Sequence, residues 1–427
     1  MADILPFHGL HYDPAKVPLS NVLSPPYDVI SAAEQAGLYA RDSRNAIRLE
    51  YSKEVDPYTH AERTLGKWLN TGVLARDDRS CIYLLSQEFK DRSGRVGRRN
   101  GFIALCRLEG AEKRTILPHE KTFPKPKEDR LKLLSHTKAM FSPIFSVYVD
   151  PSKLIEKLYL SVSLERPYLS GELDGVSHDV WRLTDARAIG NLQGLLKGSQ
   201  VFIADGHHRY ETALEYKRIR RSENPGHNGS EGYNCTLMCF SNVEEEGLMI
   251  LPFHRLIRGM KDFDGRRVLE ELSSAFDVQQ FDTSEGLFRA LRGSGNHSFG
   301  IATSGDRKLY LAGLKNVQEV EALIPQNIPR ELKQLDVVLL HEYVISHVLR
   351  INNQLGADQP RIDFVNDESH ALALVQRGEA QVAFLLNPTP VEQVEAVARA
   401  GLTMPQKSTY FYPKLPAGLV MYDLDSF

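Results

Sequence analysis

Apolar and polar positions alternate along this chain in two rhythms, and the switch between them marks its elements. Strand-like runs fall at 22–23, 81–89, 99–108, 142–149, 180–183, 201–204 and 235–242. Helical spacing dominates 31–74, where Ala61, Leu65, Trp68 and Leu69 recur on one face, and returns at 151–163, 185–197 and 207–221. Beyond 259 the texture changes. Helices are expected at 263–276, 285–291 and 332–349, a hairpin at 299–303 with 308–311, then strand, helix, strand, helix at 362–365, 368–377, 382–386 and 391–400. The expected class is mixed α/β, or α+β, in two domains, 1–258 and 259–427.

Composition adds exclusions. Charged residues make up 25% and apolar ones 42%, with a net charge of −3, so the chain as a whole has no attraction for nucleic acid or anionic lipid. The first residues lack a basic segment followed by an apolar core, and no apolar run is long enough to span a bilayer, so a cytoplasmic protein without membrane contact is expected. Cys81, Cys106, Cys235 and Cys239 follow neither a zinc nor a disulfide spacing and read as small buried side chains in a reducing compartment.

The chemistry concentrates in Val201-Phe202-Ile203-Ala204-Asp205-Gly206-His207-His208-Arg209-Tyr210-Glu211, a strand, a tight turn and a helix start. A helix N-terminus favours acidic residues, yet His207, His208 and Arg209 crowd it. An anion held by the free N–H groups and Arg209, with Gly206 allowing close backbone approach, compensates, and phosphate is the leading candidate. Two plainer readings stand beside it. Asp205 can simply neutralise the histidines, or Asp205, His207 and Glu211 can hold a metal.

Other stretches carry secondary candidates. Pro25-Pro26-Tyr27-Asp28 presents Asp28 from a stiff loop, as a general base, a metal carboxylate or a cap for the helix starting at Ser31. The proline-rich segment 117–130 places Glu120, Lys121 and Arg130 where phosphoryl transfer wants a base or metal carboxylate and two charge stabilisers. Arg95, Arg98 and Arg99 read as solvated edge charges. His254 and Arg255, at a strand end, suit a substrate carboxylate. Lys407, Ser408 and Thr409 resemble the end of a phosphate loop, but no glycine pattern precedes them, so they reach a phosphate or a substrate carboxylate only if the C-terminal segment folds back.

Asp-Gly-His-His-Arg after a strand resembles the phosphate-binding box of the ParB/sulfiredoxin-like superfamily, whose free-serine kinases carry close relatives of it. Pro-Pro-Tyr-Asp-Val-Ile at 25–30, His-Glu-Lys-Thr at 119–122 and Met-Pro-Gln-Lys-Ser-Thr at 404–409 further resemble the domain-of-unknown-function family numbered ten-fifteen, over nearly the whole chain. The resemblance implies a ParB/sulfiredoxin-like core in 1–258 and a nucleotide-dependent phosphotransferase, a kinase for free serine or a similar hydroxylated metabolite, using Mg²⁺ with ATP or ADP. Gly206, His207, His208, Arg209, Lys121, Arg130, Lys407, Ser408 and Thr409 would bind the nucleotide. Asp205, Glu120, His208 and Asp28 would serve catalysis, with Asp205 and Glu120 on the metal. The partners expected are a nucleotide and a small substrate, with a homodimer compatible and nucleic acid not expected. The alternatives are a ParB-like regulatory protein without turnover and a metal-dependent hydrolase. A sulfiredoxin reaction is excluded, because His207 stands where its cysteine would be.

Overall fold

Alternating runs in the first part of the chain pair into one sheet. Its order is Ile116–Leu117, Val201–Asp205, Ile144–Tyr148, Cys235–Asn242, Val96–Arg107, Ile82–Lys90, Val176–Leu183 and Leu169–Leu173, with Ile4–Leu5 also paired to Val96–Arg107. The computed structural model describes residues 2–91, 94–351 and 360–426. The chain is mixed α/β and divides into two compact units: Met1–Pro118, Thr122–Met249 and Pro413–Phe427 form one, His119–Lys121 with Ile250–Tyr412 the other.

In the first unit, Val201 and Ile203 meet Met238, Phe240 and Phe102 from neighbouring strands and Leu192 and Leu196 from helix Ala186–Lys197, all buried. Asp185 caps that helix by accepting the Ala188 N–H at 2.8 Å. Tyr210 and Ala213 place one stripe of helix His207–Glu223 on the same core. Strand Val201–Asp205 is parallel to Ile116–Leu117 and antiparallel to Ile144–Tyr148, and its register slips between Ile203 and Asp205. Such a bulge re-aims the side chain that follows it, which here is Asp205.

Two local expectations are corrected. Residues 22–23 are not a strand: Leu19–Val22 is a helical turn, entered from Pro18 at φ −61°. The Asn45 side chain donates to the Asn21 and Leu23 carbonyls at 2.9 and 3.0 Å, so these need no ladder partner. Arg99 is not a solvated edge charge but 2% exposed. Its guanidinium lies 4.3 Å from the Phe145 ring centroid and donates to Gln87 Oε1 and to the Pro413 carbonyl.

A partly buried carboxyl, Glu245, lies just beyond the far end of strand Cys235–Asn242. Glu245 Oε1 accepts from Asn100 N at 3.2 Å and Nδ2 at 2.9 Å, while Oε2 of Glu245 and Oε2 of Glu156 are buried without a hydrogen-bond partner among the described residues. Burial, reinforced by Glu156, pushes the Glu245 carboxyl up to about 7. A raised carboxyl is protonated in the folded chain while already ionised in the unfolded one. Its stabilising contribution is therefore complete below about pH 4 and is lost as pH rises through about 7. Glu245→Gln is expected to exceed the wild type in stability by up to about 3 kcal/mol near pH 8 and to match it near pH 4. Urea unfolding at both values checks this, and a difference that ignores pH counts against it.

The second unit holds an antiparallel sheet in the order Phe276–Phe281, Leu309–Leu314, Ser298–Thr303, Val382–Leu386, His254–Arg258 and Arg361–Val365. One face carries Ile257, Ile301 and Phe384 against Val268, Val344 and Val397, and the other carries Leu256, Ala302 and Leu385 against Leu287 and Leu372. The units do not divide at 258/259. Strand His254–Arg258 is hydrogen-bonded on both sides inside this sheet, and the chain after Tyr412 rejoins the first unit. The single helix expected at 332–349 is Arg330–Lys333, Asp336–Val338 and a wider coil, Leu339–Val348. All four cysteines are buried and free. Among the described residues no helix is long and apolar enough to cross a membrane.

Candidate functional site

The bulge, Gly206 and the helix start act together. Gly206 has φ +92°, a left-handed conformation that costs a residue with a Cβ about 1–2 kcal/mol. A Cβ there would also lie 2.9 to 3.0 Å from the Arg209 guanidinium. Helix His207–Glu223 begins without a side-chain cap and without an acidic residue in its first turn, so its N-terminal N–H groups and partial positive charge face outward from the turn.

Arg209, one helical turn beyond Asp205, folds back onto it. Nη2 lies 2.9 Å from Asp205 Oδ2, and Nη1 donates to the Pro143 carbonyl at 2.6 Å and to Ser142 Oγ at 3.0 Å. The Lys414 ammonium, from the returning C-terminal segment, takes the other Asp205 oxygen, Oδ1. Within the chain itself Asp205 is the negative group that faces both Arg209 and Lys414. Burial alone would raise the Asp205 carboxyl, but Lys414, Arg209 and His207 outweigh it and hold it well below the usual carboxylate range. The three side chains keep 13–15% exposure, so the corner is not sealed from solvent.

A second ionic group joins the first through Ser142. Ser142 Oγ donates to Glu50 Oε1 at 3.1 Å, and Glu50 lies 3.8 Å from Arg130 Nη1. Arg130 is buried on helix Pro124–Thr137; it donates to the Glu50 carbonyl at 2.7 Å and twice to Asp129 Oδ2, at 2.9 and 2.6 Å. Its guanidinium stands 4.2 Å from the Tyr27 ring centroid, and Tyr27 also feels the charge of Arg209. The Pro-Pro-Tyr-Asp turn thus reaches the box, with Asp28 exposed on Tyr27–Val29. Asp28 is not the cap of the next helix, since Ser31 and Glu34 form that capping box themselves. Between Arg130 and Arg209 lies a cavity of about 50 Å³, lined also by Glu50, Ser142, Thr212, Leu133 and Met140. It has room for a few waters, against the roughly 300–1,000 Å³ of a drug-sized site.

The loop before Arg130 docks on the box helix. Thr122 Oγ1 and Lys127 Nζ meet Glu211 Oε2 at 2.7 and 2.8 Å, and the Phe123 N–H donates to His208 Nε2 at 3.0 Å. His208 and Glu211 therefore hold this loop, and His207 is buried. The Lys414 backbone is fixed from two sides, Gln87 Nε2 donating to its carbonyl at 3.2 Å and Arg99 to the Pro413 carbonyl at 2.6 Å. His178 packs behind Gln87, its imidazole pushed down to about 3 by burial and by Arg99, so it stays neutral.

Glu120, Lys121, Lys407, Ser408 and Thr409 belong to the second unit. There the two sequence-distant segments meet: Glu120 bridges Met404, Gln406 Nε2 donates to the Lys121 carbonyl at 3.0 Å, and His119 Nε2 lies 3.1 Å from Thr409 Oγ1. Ser408 Oγ donates to the Pro405 carbonyl at 2.6 Å, and Lys407 Nζ stands 5.1 Å from the Phe253 ring centroid. Among the described residues no group of three or more His, Cys, Asp or Glu is arranged to hold a metal ion. Lys414, Glu50 and Ser142 are the site residues that sequence reasoning missed. No local pattern flags any of them.

Residues 4–338 match the model of a family described as a protein of unknown function, DUF1015. No curated protein matches the chain. Among solved structures the chain is similar to a free serine kinase in complex with AMP, at 13% identity and a TM-score of 0.38, over 76% of this chain and 93% of that one. It is similar also to a conserved hypothetical protein from Pyrococcus furiosus, at 12% identity and 0.37, over 76% and 97%. A third is SbnI with C-terminal truncation from Staphylococcus aureus, at 12% identity and 0.35, over 73% and 84%.

Proposed function

The chain belongs to the DUF1015 family, and we propose that its first unit is a nucleotide-dependent phosphotransferase, of ParB/sulfiredoxin-like type, acting on free serine or a similar small hydroxylated molecule. The observation that carries the reading is a charge imbalance. One carboxylate, Asp205, faces two cations, Arg209 and Lys414, before an uncapped helix N-terminus. A single negative charge leaves that corner net positive, and the terminal phosphates of ATP or ADP would balance it. Gly206 lets the backbone approach them without a Cβ.

The residues fit a phosphate and, through it, Mg²⁺, which takes one or two protein carboxylates and completes its shell with phosphate oxygens and water. Asp205 would be the carboxylate to hold the ion, with Arg209 and Lys414 then available to the phosphates. When bound, the ion neutralises charge on the transferring group. Asp28 is the exposed carboxylate suited to take the acceptor proton, as the hydroxyl oxygen bonds to phosphorus and the bond to the departing nucleotide breaks. Arg130 is linked to Arg209 through Glu50 and Ser142, a network that supports Arg209 in its place. The hydrolase alternative lacks support, because among the described residues no group of three or more His, Cys, Asp or Glu is arranged to hold a metal ion, and Glu211 is engaged by Thr122 and Lys127.

With Mg²⁺, ATP or ADP at about a hundredfold its Kd is expected to stabilise the protein by about 2.7 kcal/mol. Arg209→Ala should abolish the shift, and Lys414→Met should weaken it at least tenfold in apparent Kd. Differential scanning fluorimetry reads the shift, and transfer of labelled phosphate to L-serine reads the reaction. A protein whose melting temperature ignores every adenine nucleotide would end this reading.

A further inference from the structure

Arg255 occupies an unusual place in the second unit. It sits on strand His254–Arg258 with Phe364 and Phe384 as its cross-strand partners, and it is 2% exposed. Its Nη1 donates to the Phe253 carbonyl, and its guanidinium stands 5.2 Å from the Phe364 ring centroid. Among the described residues no carboxylate forms an ion pair with it within 4 Å, and Glu120 is the carboxylate whose charge favours its protonated form. Burial pushes the guanidinium down to about 10. Taking a cation out of water without a paired anion is among the more expensive things a fold can do.

The surroundings suit a small anion. Lys407 lies over the face of Phe253, the residue whose carbonyl Arg255 holds, and Phe253 packs edge-on against Tyr410 at 5.4 Å. His341 is also close, and burial together with Arg255 lowers its pKa and keeps its imidazole neutral.

We propose that Arg255 anchors a carboxylate-binding site inside the second unit, with Lys407 at its flank and Glu120 limiting it to a singly charged guest. The planar guanidinium fork matches a carboxylate in two parallel hydrogen bonds. A doubly charged phosphate would meet Glu120 with a surplus negative charge. The site stands on the second unit's own residues and does not depend on the nucleotide reading of the first.

The test uses the full chain and three probes at equal ionic strength against sodium chloride: acetate, glycolate and inorganic phosphate. Acetate and glycolate are expected to raise the melting temperature saturably, and phosphate to do so less. Arg255→Met removes a buried charge, so the ligand-free protein should melt at the wild-type temperature or above it, with the carboxylate shift gone. Arg255→Lys keeps the charge without the fork and should raise the apparent Kd at least tenfold, which keeps the test decisive should the methionine variant fail to fold. The proposal is overturned if the wild type shows no carboxylate-specific shift, if either variant binds as the wild type does, or if phosphate gives the larger Arg255-dependent shift.

Discussion

Asp205→Asn is expected to cost about 3–5 kcal/mol of folding stability, one of the two largest effects of any single change at the site. The asparagine amide keeps the shape but removes the charge shared by Arg209 and Lys414. Both cations are about seven-eighths buried, so solvent screening relieves them little. The same carboxylate fixes the acid limit of the protein. Its pKa in the fold lies below its value in the unfolded chain, so its contribution is complete above about pH 4. It is lost as pH falls from there toward the lowered value. Acid unfolding of the wild type should therefore steepen below about pH 4, and that part of the curve should be missing from Asp205→Asn. Urea midpoints at several pH values measure both. Equal midpoints at neutral pH would mean that the corner is screened by water and that Asp205 is not its keystone.

Where information was local, the sequence was a good guide. The box strand, its turn and its helix are written in contiguous residues, since alternation, Asp-Gly and a cationic helix start all lie within one short segment. The two prolines marked a stiff loop presenting Asp28, and its neighbour Tyr27 reaches Arg130 and the field of Arg209. What failed depended on chain return. Lys414 lies 209 residues from Asp205, and nothing in Tyr-Pro-Lys-Leu announces its partner. Arg99 looked solvated because the hairpin around it is polar. It is buried because the segment at 413 crosses over it, an event no window of local sequence contains. Within the second unit Thr409 and Gln406 meet His119 and Lys121, a contact between residues far apart in the chain that no local pattern announces.

The second large effect concerns a residue that no phosphate need touch. Arg130→Met is expected to destabilise the protein by about 3–5 kcal/mol, because it leaves Glu50 charged, 3% exposed and deprived of its buried cation. It also removes two bonds to Asp129 and the stacking on Tyr27. The mechanism makes a further demand. If the cost arises from the stranded carboxylate, adding Glu50→Gln to Arg130→Met should return a large part of it, about 1–3 kcal/mol by the usual coupling of contacting residues. Additive losses in the double-mutant cycle would instead assign the cost to Asp129 and Tyr27. Glu50 accepts from Ser142, and Ser142 accepts from Arg209. The single variant should therefore loosen Arg209 from its seat beside Pro143 and weaken nucleotide binding along with the fold. The double variant, with a neutral glutamine still able to accept from Ser142, should recover stability and nucleotide affinity together. Recovery of one without the other would separate the buried network from the box.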